Sequence, residues 1–454
     1  MFRSLTIQNF KSWKNIENMR MAPITGLFGN NSSGKTSLLQ LLLLLKQTVQ
    51  SPDRAQVLNL GDERSLVALG TFRDVIHQHE QAGVLRWGFS WVLPKELKVL
   101  DPEREGVTLF SGKEMRFRAI VTENGSGRII VKEFVYSFGG QDFILRRKAD
   151  AEERYRLSTS PDQFRFIRTP GRVWELPSPI KCYGFPDQVK AYYQNAGFLA
   201  DFALAFEDLF SRLYYLGPLR EYPKRDYTWA GAQPADMGQR GEKVVDALLA
   251  SREKGEKISR GKGLKKFTVE EYAAWWLREL GLIHEFSVEP IAPDSNLYRV
   301  WVRKTSAAAR VLITDVGFGV SQIIPVLVLC YYVPEGSIII LEQPEIHLHP
   351  SVQAGLADVF VDAVRTRKIQ ILLESHSEHL LRRLQRRVAE EEMSNEDAAL
   401  YFCDISGGTS ELNRLDLNIF GDITNWPRNF FGDDFGEMAA ATRAAMLRKK
   451  SQQT

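Results

Sequence analysis

The octapeptide Gly29-Asn30-Asn31-Ser32-Ser33-Gly34-Lys35-Thr36 restricts this chain more than any other stretch, because it fits the pattern G-x-x-x-x-G-K-[ST]. Glycines at both ends let the backbone curl until its N–H groups converge on phosphate oxygens. A following helix adds the positive end of its dipole. Lys35 supplies charge for the β- and γ-oxygens, and the Thr36 hydroxyl suits a magnesium ion. The flanks agree: "APITGLFG" reads as a short strand entering the loop, and a buried helix is predicted from about Lys35 to Val49. Residues 29–37, with Ser37 the last, are the candidate nucleotide contacts.

The rest of the chain sets limits on that reading. With 454 residues, 44% hydrophobic and 25% charged, it can bury a sizeable core. A net charge of +3 over that length makes little field, so it permits contact with nucleic acid without arguing for it. Cys182, Cys330 and Cys403 lie far apart, which implies neither a disulfide framework nor a metal site and fits a cytoplasmic setting. "MFRSLTIQNF" lacks the apolar core of a signal peptide, and the apolar run 38–47 is too short to span a bilayer, so no membrane role is expected.

Four segments follow from pattern. Residues 1–82 carry the loop and its helix. Residues 83–165 hold strand-like runs such as "VLRWGFSWVL" and "RIIVKEFVYSF", a β-rich insertion. Residues 166–290 read as a helical lobe, with "VKAYYQNAGFLADFALAFEDLFSRL" and "TVEEYAAWWLRELGL" as its clearest helices and a Gly/Pro-rich loop between them. Residues 291–454 return to alternating strand and helix. No repeat and no sustained heptad pattern appears.

"LTIQNFKSW…ITGLFGNNSSGKTSLLQLL" resembles the N-terminal half-site of ABC-type ATPases grouped with SMC, Rad50, RecF and the OLD proteins. The other blocks of that superfamily come in the expected order: "TDVGFGVSQIIPVL" (314–327) resembles the signature, "SIIILEQPEIHLHP" the Walker B strand and D-loop, and "IQILLESHSEHLL" (369–381) the strand ending in the switch histidine. The chain is most similar in kind to compact AAA15/AAA21-type ATPases of bacterial anti-phage defence, which "YYLGPLREYPKRDY…GQRGE" and "GDITNWPRNFFGDDFGEM" also resemble. The resemblance implies an α/β ABC-type ATPase head, a P-loop fold with a mixed sheet and flanking helices, interrupted by β-rich and helical lobes. It implies ATP and Mg2+ as cofactors, with Thr36 and Glu342 as the metal ligands. Gln343 takes the place of the usual catalytic glutamate, and an amide orients water but accepts no proton. Hydrolysis is then slow unless Glu345 or a partner assists. The glutamine is either a natural slow switch or an introduced trap. His376 takes the switch position at the γ-phosphate. Gly317, Phe318, Gly319 and Ser321 take the signature position, although Gly317 stands where a serine is common.

The resemblance also implies a homodimer, or a higher homo-oligomer, sandwiching two ATP molecules. About eighty residues follow His376, too few for the TOPRIM nuclease of OLD relatives. The expected partner is therefore an effector nuclease encoded nearby, in anti-phage defence. The rivals are a RecF- or Rad50-like repair ATPase that binds DNA itself and an ATP-assembled scaffold with little turnover. Nucleic acid stays open as a partner. Three basic stretches could meet phosphate or simply be solvated: Arg220, Lys224 and Arg225 in one loop, the run 251–267, and "RRLQRR" at 382–387. His347 and His349 point to opposite sides if extended, which argues against a zinc site, and His349 is placed at a dimer contact. The aromatics of 425–437 are expected to pack on the head.

Overall fold

The computed structural model describes residues 1–427 apart from 81–82, 102–103, 105, 149–153, 162–163, 172–174 and 262, and beyond 427 only 430, 438, 440–445 and 448. Much of the "GDITNWPRNFFGDDFGEM" resemblance therefore lies outside the described residues.

The chain opens with a hairpin, β1 (Phe2–Phe10) and β2 (Trp13–Arg20), then β3 (Ile24–Gly29) and helix α1 (Lys35–Gln50). After a short α2 (Phe72–Val75) come five strands: β4 (Val84–Leu100), β5 (Thr108–Glu123), β6 (Ile129–Phe138), β7 (Gln141–Arg147) and β8 (Tyr155–Ser160). They continue the hairpin into one antiparallel sheet of order β2-β1-β4-β5-β6-β7-β8. Residues 83–165 thus share a core with residues 1–82, because alternate positions such as Trp87, Phe89, Trp91 and Phe117 pack inward with Phe2 and Phe10.

The segment predicted to be helical is broken by strands. The long run at 189–213 falls into two helices, α3 (Gln188–Tyr192) and α4 (Leu199–Ser211), with Asn195 and Gly197 between them. Leu213–Leu216 then forms β9, a fully buried strand too short to show a period. β10 (Tyr227–Thr228), α5 (Val244–Lys254) and α6 (Val269–Glu279) lead to β11 (Glu285–Pro290), β12 (Leu297–Arg303) and β13 (Val311–Leu312), a small sheet of their own with β10. The last part alternates: α7 (Phe318–Tyr332), β14 (Ile338–Glu342), α8 (Pro350–Arg367), β15 (Gln370–Glu374), α9 (Glu378–Ala389), β16 (Ala398–Ser406) and β17 (Thr409–Leu415).

The second large sheet runs β17-β16-β3-β15-β14-β9, parallel throughout except for β17. It draws β3 from one end of the chain, β9 from the middle, and β14–β16 from the other end. Its strands are apolar on both sides because both faces are covered. Ile338, Ile340 and Leu372 enter the core shared with α1 and α4, whereas Ile339, Leu341, Ile371 and Leu373 enter the one shared with α5–α9. In α1, Leu41 to Leu45 are all at most 1% exposed, as expected for a helix wedged between two sheets. No helix among the described residues is long and apolar enough to cross a membrane.

Candidate functional site

In an open parallel sheet, ligands bind beyond the carboxyl ends of the strands. At that edge β3 ends in Gly29, β14 in Glu342, β15 in Glu374, and β9 runs into Gly217–Arg220. The sheet itself therefore gathers residues that are hundreds of positions apart.

The loop after β3 requires its glycines. Gly29 has φ +129°, and a Cβ there would lie 2.0 Å from the Cys403 carbonyl oxygen. Gly34 has φ +89°, and a Cβ would meet Ser410 Oγ at 2.5 Å and Ser12 Oγ at 2.6 Å. Both positions exclude L side chains. Trp13 Nε1 donates to the Gly34 carbonyl at 3.0 Å, tying the loop to the β1–β2 hairpin. Asn30 Nδ2 reaches Asp404 Oδ1 at 3.3 Å, while Asn31 and Ser32 are exposed and Ser33 is buried. Lys35 folds back over the loop: Nζ donates to Gly29 O (3.0 Å) and Asn30 O (2.6 Å). Burial lowers its pKa, and the carboxylates of Glu374 and Glu345 oppose that shift. Thr36 Oγ1 donates to Glu374 Oε2 at 2.7 Å. Ser37 lies half-buried in the first turn of α1.

Three buried carboxylates face this loop. Glu342 accepts from Tyr215 Oη at 3.0 Å, and its pKa is pushed up to about 7, by burial first and then by the neighbouring Glu374 charge. Glu374 pairs in register with Glu342, and burial raises its pKa while Thr36 and Lys35 lower it. Glu345 Oε1 accepts from Ser375 Oγ (2.8 Å) and from the His376 backbone N–H (2.7 Å). Its Oε2 is buried with no hydrogen-bond partner among the described residues, and burial raises its pKa. Gln343, at φ +43°, turns the chain sharply out of β14, and its N–H donates to Glu374 O at 2.9 Å. The His376 ring is exposed beside a small cleft that it lines with Gly29, Asn30 and Asn31. Burial and Lys35 lower its pKa, so it is neutral near pH 7.

Sequence reasoning missed Glu374 and Tyr215 and left Arg220 undecided. The run "ILLE" at 371–374 repeats "IIILE" at 338–342, a signal that could have found Glu374. Arg220 is 6% exposed, with Nη2 at 3.4 Å from Glu342 O and with Nε and Nη1 unpartnered. Burial lowers its pKa to about 10 against the pull of Tyr215, Glu342 and Glu345. Lys224 and Arg225 instead stay at the surface, beside Glu221 (3.7 Å) and Asp315 (2.9 Å).

The signature residues lie apart from the loop. Gly317 caps α7, Phe318 is exposed against the His347 ring (5.2 Å), and Gly319 adjoins the His347 carbonyl. Ser321 departs from expectation: it is buried and donates its hydroxyl to Phe318 O at 2.7 Å, where it serves the helix start. His349 likewise caps α8, its Nδ1 accepting from Ser351 N at 3.3 Å. Phe430 packs on the head beside Phe28 and Phe402.

The donor set fits magnesium held with a nucleotide: a threonine hydroxyl and two adjacent buried carboxylates. Among the described residues no group of three or more His, Cys, Asp and Glu side chains forms a metal site of its own. Magnesium in nucleotide sites draws most of its ligands from phosphate and water. Cys182, Cys330 and Cys403 are buried free thiols.

Residues 24–382 match a family model, AAA_21, described as "AAA domain, putative AbiEii toxin, Type IV TA system". Residues 393–440 match DUF3696, a protein family of unknown function. No curated protein matches. Among solved structures the chain is similar to an SMC head bound to the C-winged helix domain of ScpA (11% identity, TM-score 0.45, covering 92% of this chain and 98% of that one). It is also similar to the SMC head domain from Thermotoga maritima (10% identity, TM-score 0.37, 91% and 99%). A third is an SMC head with an extended coiled coil bound to the C-terminal domain of ScpA derived from Pyrococcus furiosus (9% identity, TM-score 0.45, 92% and 96%). With the family match spanning most of its length, the chain belongs to the AAA_21 family.

Proposed function

We propose that this protein is a slow ATP-driven switch: it dimerises head to head around two ATP molecules and so controls a partner effector, a nuclease encoded nearby, in bacterial anti-phage defence. The observation that carries this reading is the convergence of Lys35, Thr36, Glu342, Glu345 and Glu374 at one end of a single parallel sheet. The matched family's description, which names a toxin–antitoxin system, supports the defence setting.

In this reading Lys35 leaves the carbonyls of Gly29 and Asn30 for the β- and γ-oxygens of ATP. Thr36, Glu342 and Glu374 hold Mg2+, which supplies positive charge to the phosphates. Arg220 turns its free Nη1 toward the γ-phosphate, the charge-assisted contact that a buried guanidinium favours. His376 senses that phosphate. Gln343 orients the attacking water without taking its proton, so turnover is slow. The exposed turn Gly317–Gly319 of a second copy closes the site with backbone N–H groups.

Sedimentation velocity with and without Mg2+-ATP tests the proposal. The parent should shift from monomer to dimer with ATP and not with ADP, and Lys35→Ala should stay monomeric. Identical sedimentation of the parent in all three conditions would contradict it. Gln343 also favours a second reading, an ATP-assembled scaffold with negligible turnover, which a measured steady-state rate separates from the first.

A further inference from the structure

A glutamate side chain must have each of its rotatable bonds fixed before its carboxylate can serve a metal ion, and fixing them costs entropy. For Glu342 the fixing group is Tyr215, from a strand that none of the four sequence blocks contains. β9 runs parallel to β14 with Tyr215 opposite Ile340 and Leu216 opposite Leu341. Glu342 lies two residues beyond Ile340 and so on the same face of the sheet. Tyr215 reaches forward along that face and donates Oη to Glu342 Oε1 at 3.0 Å, and both side chains are buried. Gly217 leaves the hydroxyl its room: a Cβ there would lie 3.0 Å from Tyr215 Oη.

Among the described residues no other group donates to the Glu342 side chain, so one carboxylate oxygen is engaged and the other is left. The neighbouring acids are held differently. Glu374 Oε2 accepts from Thr36 Oγ1 at 2.7 Å, and Thr36 is itself a candidate metal ligand. Glu345 Oε1 accepts from Ser375 Oγ and the His376 N–H, both beyond the end of β15. Tyr215 is thus a donor that a metal ion would not displace, and its bond decides which oxygen Glu342 offers.

We propose that Tyr215 is a positioning residue that sets the metal preference of the site: by engaging one oxygen of Glu342 it leaves a carboxylate that binds through a single oxygen, the mode that suits Mg2+ better than Ca2+. Mg2+ demands near-octahedral geometry and draws on few carboxylates, whereas Ca2+ accepts more oxygens in a flexible arrangement and takes a carboxylate through one oxygen or both. Without the phenol, Glu342 can rotate to present both oxygens, which suits Ca2+ and spoils the geometry for Mg2+. Partners that orient a metal-binding carboxylate in this way govern affinity although they never touch the ion. This role rests on the ATP reading above, in which Glu342 is a metal ligand.

The test is calorimetric measurement of ATP affinity for the full chain over a range of Mg2+ or Ca2+ concentrations, on the parent and on Tyr215→Phe. In the variant the Mg2+ concentration at half-effect should rise about 10-fold. The corresponding Ca2+ concentration should change by less than ~3-fold, so the parent's preference for Mg2+ falls. A general loosening of the fold would weaken both metals alike, and that result would overturn the proposal. Should Tyr215→Phe not fold, Gly217→Ala keeps the ring and crowds its hydroxyl, and it should lower the preference for Mg2+ in the same direction. A parent whose ATP affinity responds to neither metal overturns the ATP reading and the role of Tyr215 with it. A parent that responds to Mg2+, with the ratio between the two metals unchanged in Tyr215→Phe, overturns the role of Tyr215 alone.

Discussion

Glu342 and Glu374 end neighbouring parallel strands at one register position, so two carboxylates stand side by side in a buried setting. For Glu342 the consequence is a folded-state pKa of about 7 against an ordinary value of 4.5. A group raised in this way contributes its stability in full below the unfolded value and loses it as pH rises through the folded one. The nucleotide-free protein therefore loses stability between about pH 4.5 and pH 7 on account of this residue. Glu342→Gln should remove that loss: thermal melts should show it more stable than the parent by on the order of 2 kcal/mol at pH 8, with the gap closing near pH 5. A gap that does not change with pH would count against the assignment. Gln343 yields a second expectation. Gln343→Glu should raise the steady-state ATPase rate by roughly 10–100-fold, as expected when a general base is gained. An unchanged rate at saturating Mg2+-ATP would show that another group accepts the proton. At this scale the sequence shows residues that belong to a spaced motif, such as Lys35 and Thr36. Glu374, Tyr215 and Arg220 gain meaning only from the strands that bring them together.

β9 shows why elements differ in how well pattern reveals them. Four residues, Leu213 to Leu216, cannot display a period, and the helical run before them absorbs them on paper. Yet β9 lies beside β14 and carries both Tyr215 and the turn to Arg220. The helix α1, by contrast, was legible to within a residue or so at each end, because its loop fixes the start and its apolar run the length. Its far end carries a tie the sequence does not announce: Lys181 Nζ donates to Val49 O and Ser51 O, both at 2.7 Å. An ammonium at a helix C-terminus satisfies carbonyls that have no partner in the helix and meets the negative end of the dipole. Lys181→Met should lower the melting temperature, with a stability loss of about 1–3 kcal/mol. ATP affinity should change less than ~3-fold, because the loop is at the opposite end of α1. An unaltered melting temperature would mean that the tie is solvent-compensated.

For the molecule as a whole, the order of the four sequence blocks indicated that one head is assembled from both ends of the chain. The structure adds that the middle is no separate body: β4–β8 extend the sheet begun by β1, and β9 enters the sheet that carries the loop. The central claim is that Lys35 and Glu342, supplied by opposite ends of the chain, serve one triphosphate and its magnesium. Calorimetric titration of ATP with and without Mg2+, on the parent, Lys35→Ala and Glu342→Ala, tests it most directly. Mg2+ should tighten ATP binding to the parent, Lys35→Ala should bind no ATP, and Glu342→Ala should bind ATP equally with and without Mg2+. Parent-like affinity in Lys35→Ala, or a magnesium effect untouched by the loss of Glu342, would contradict the account.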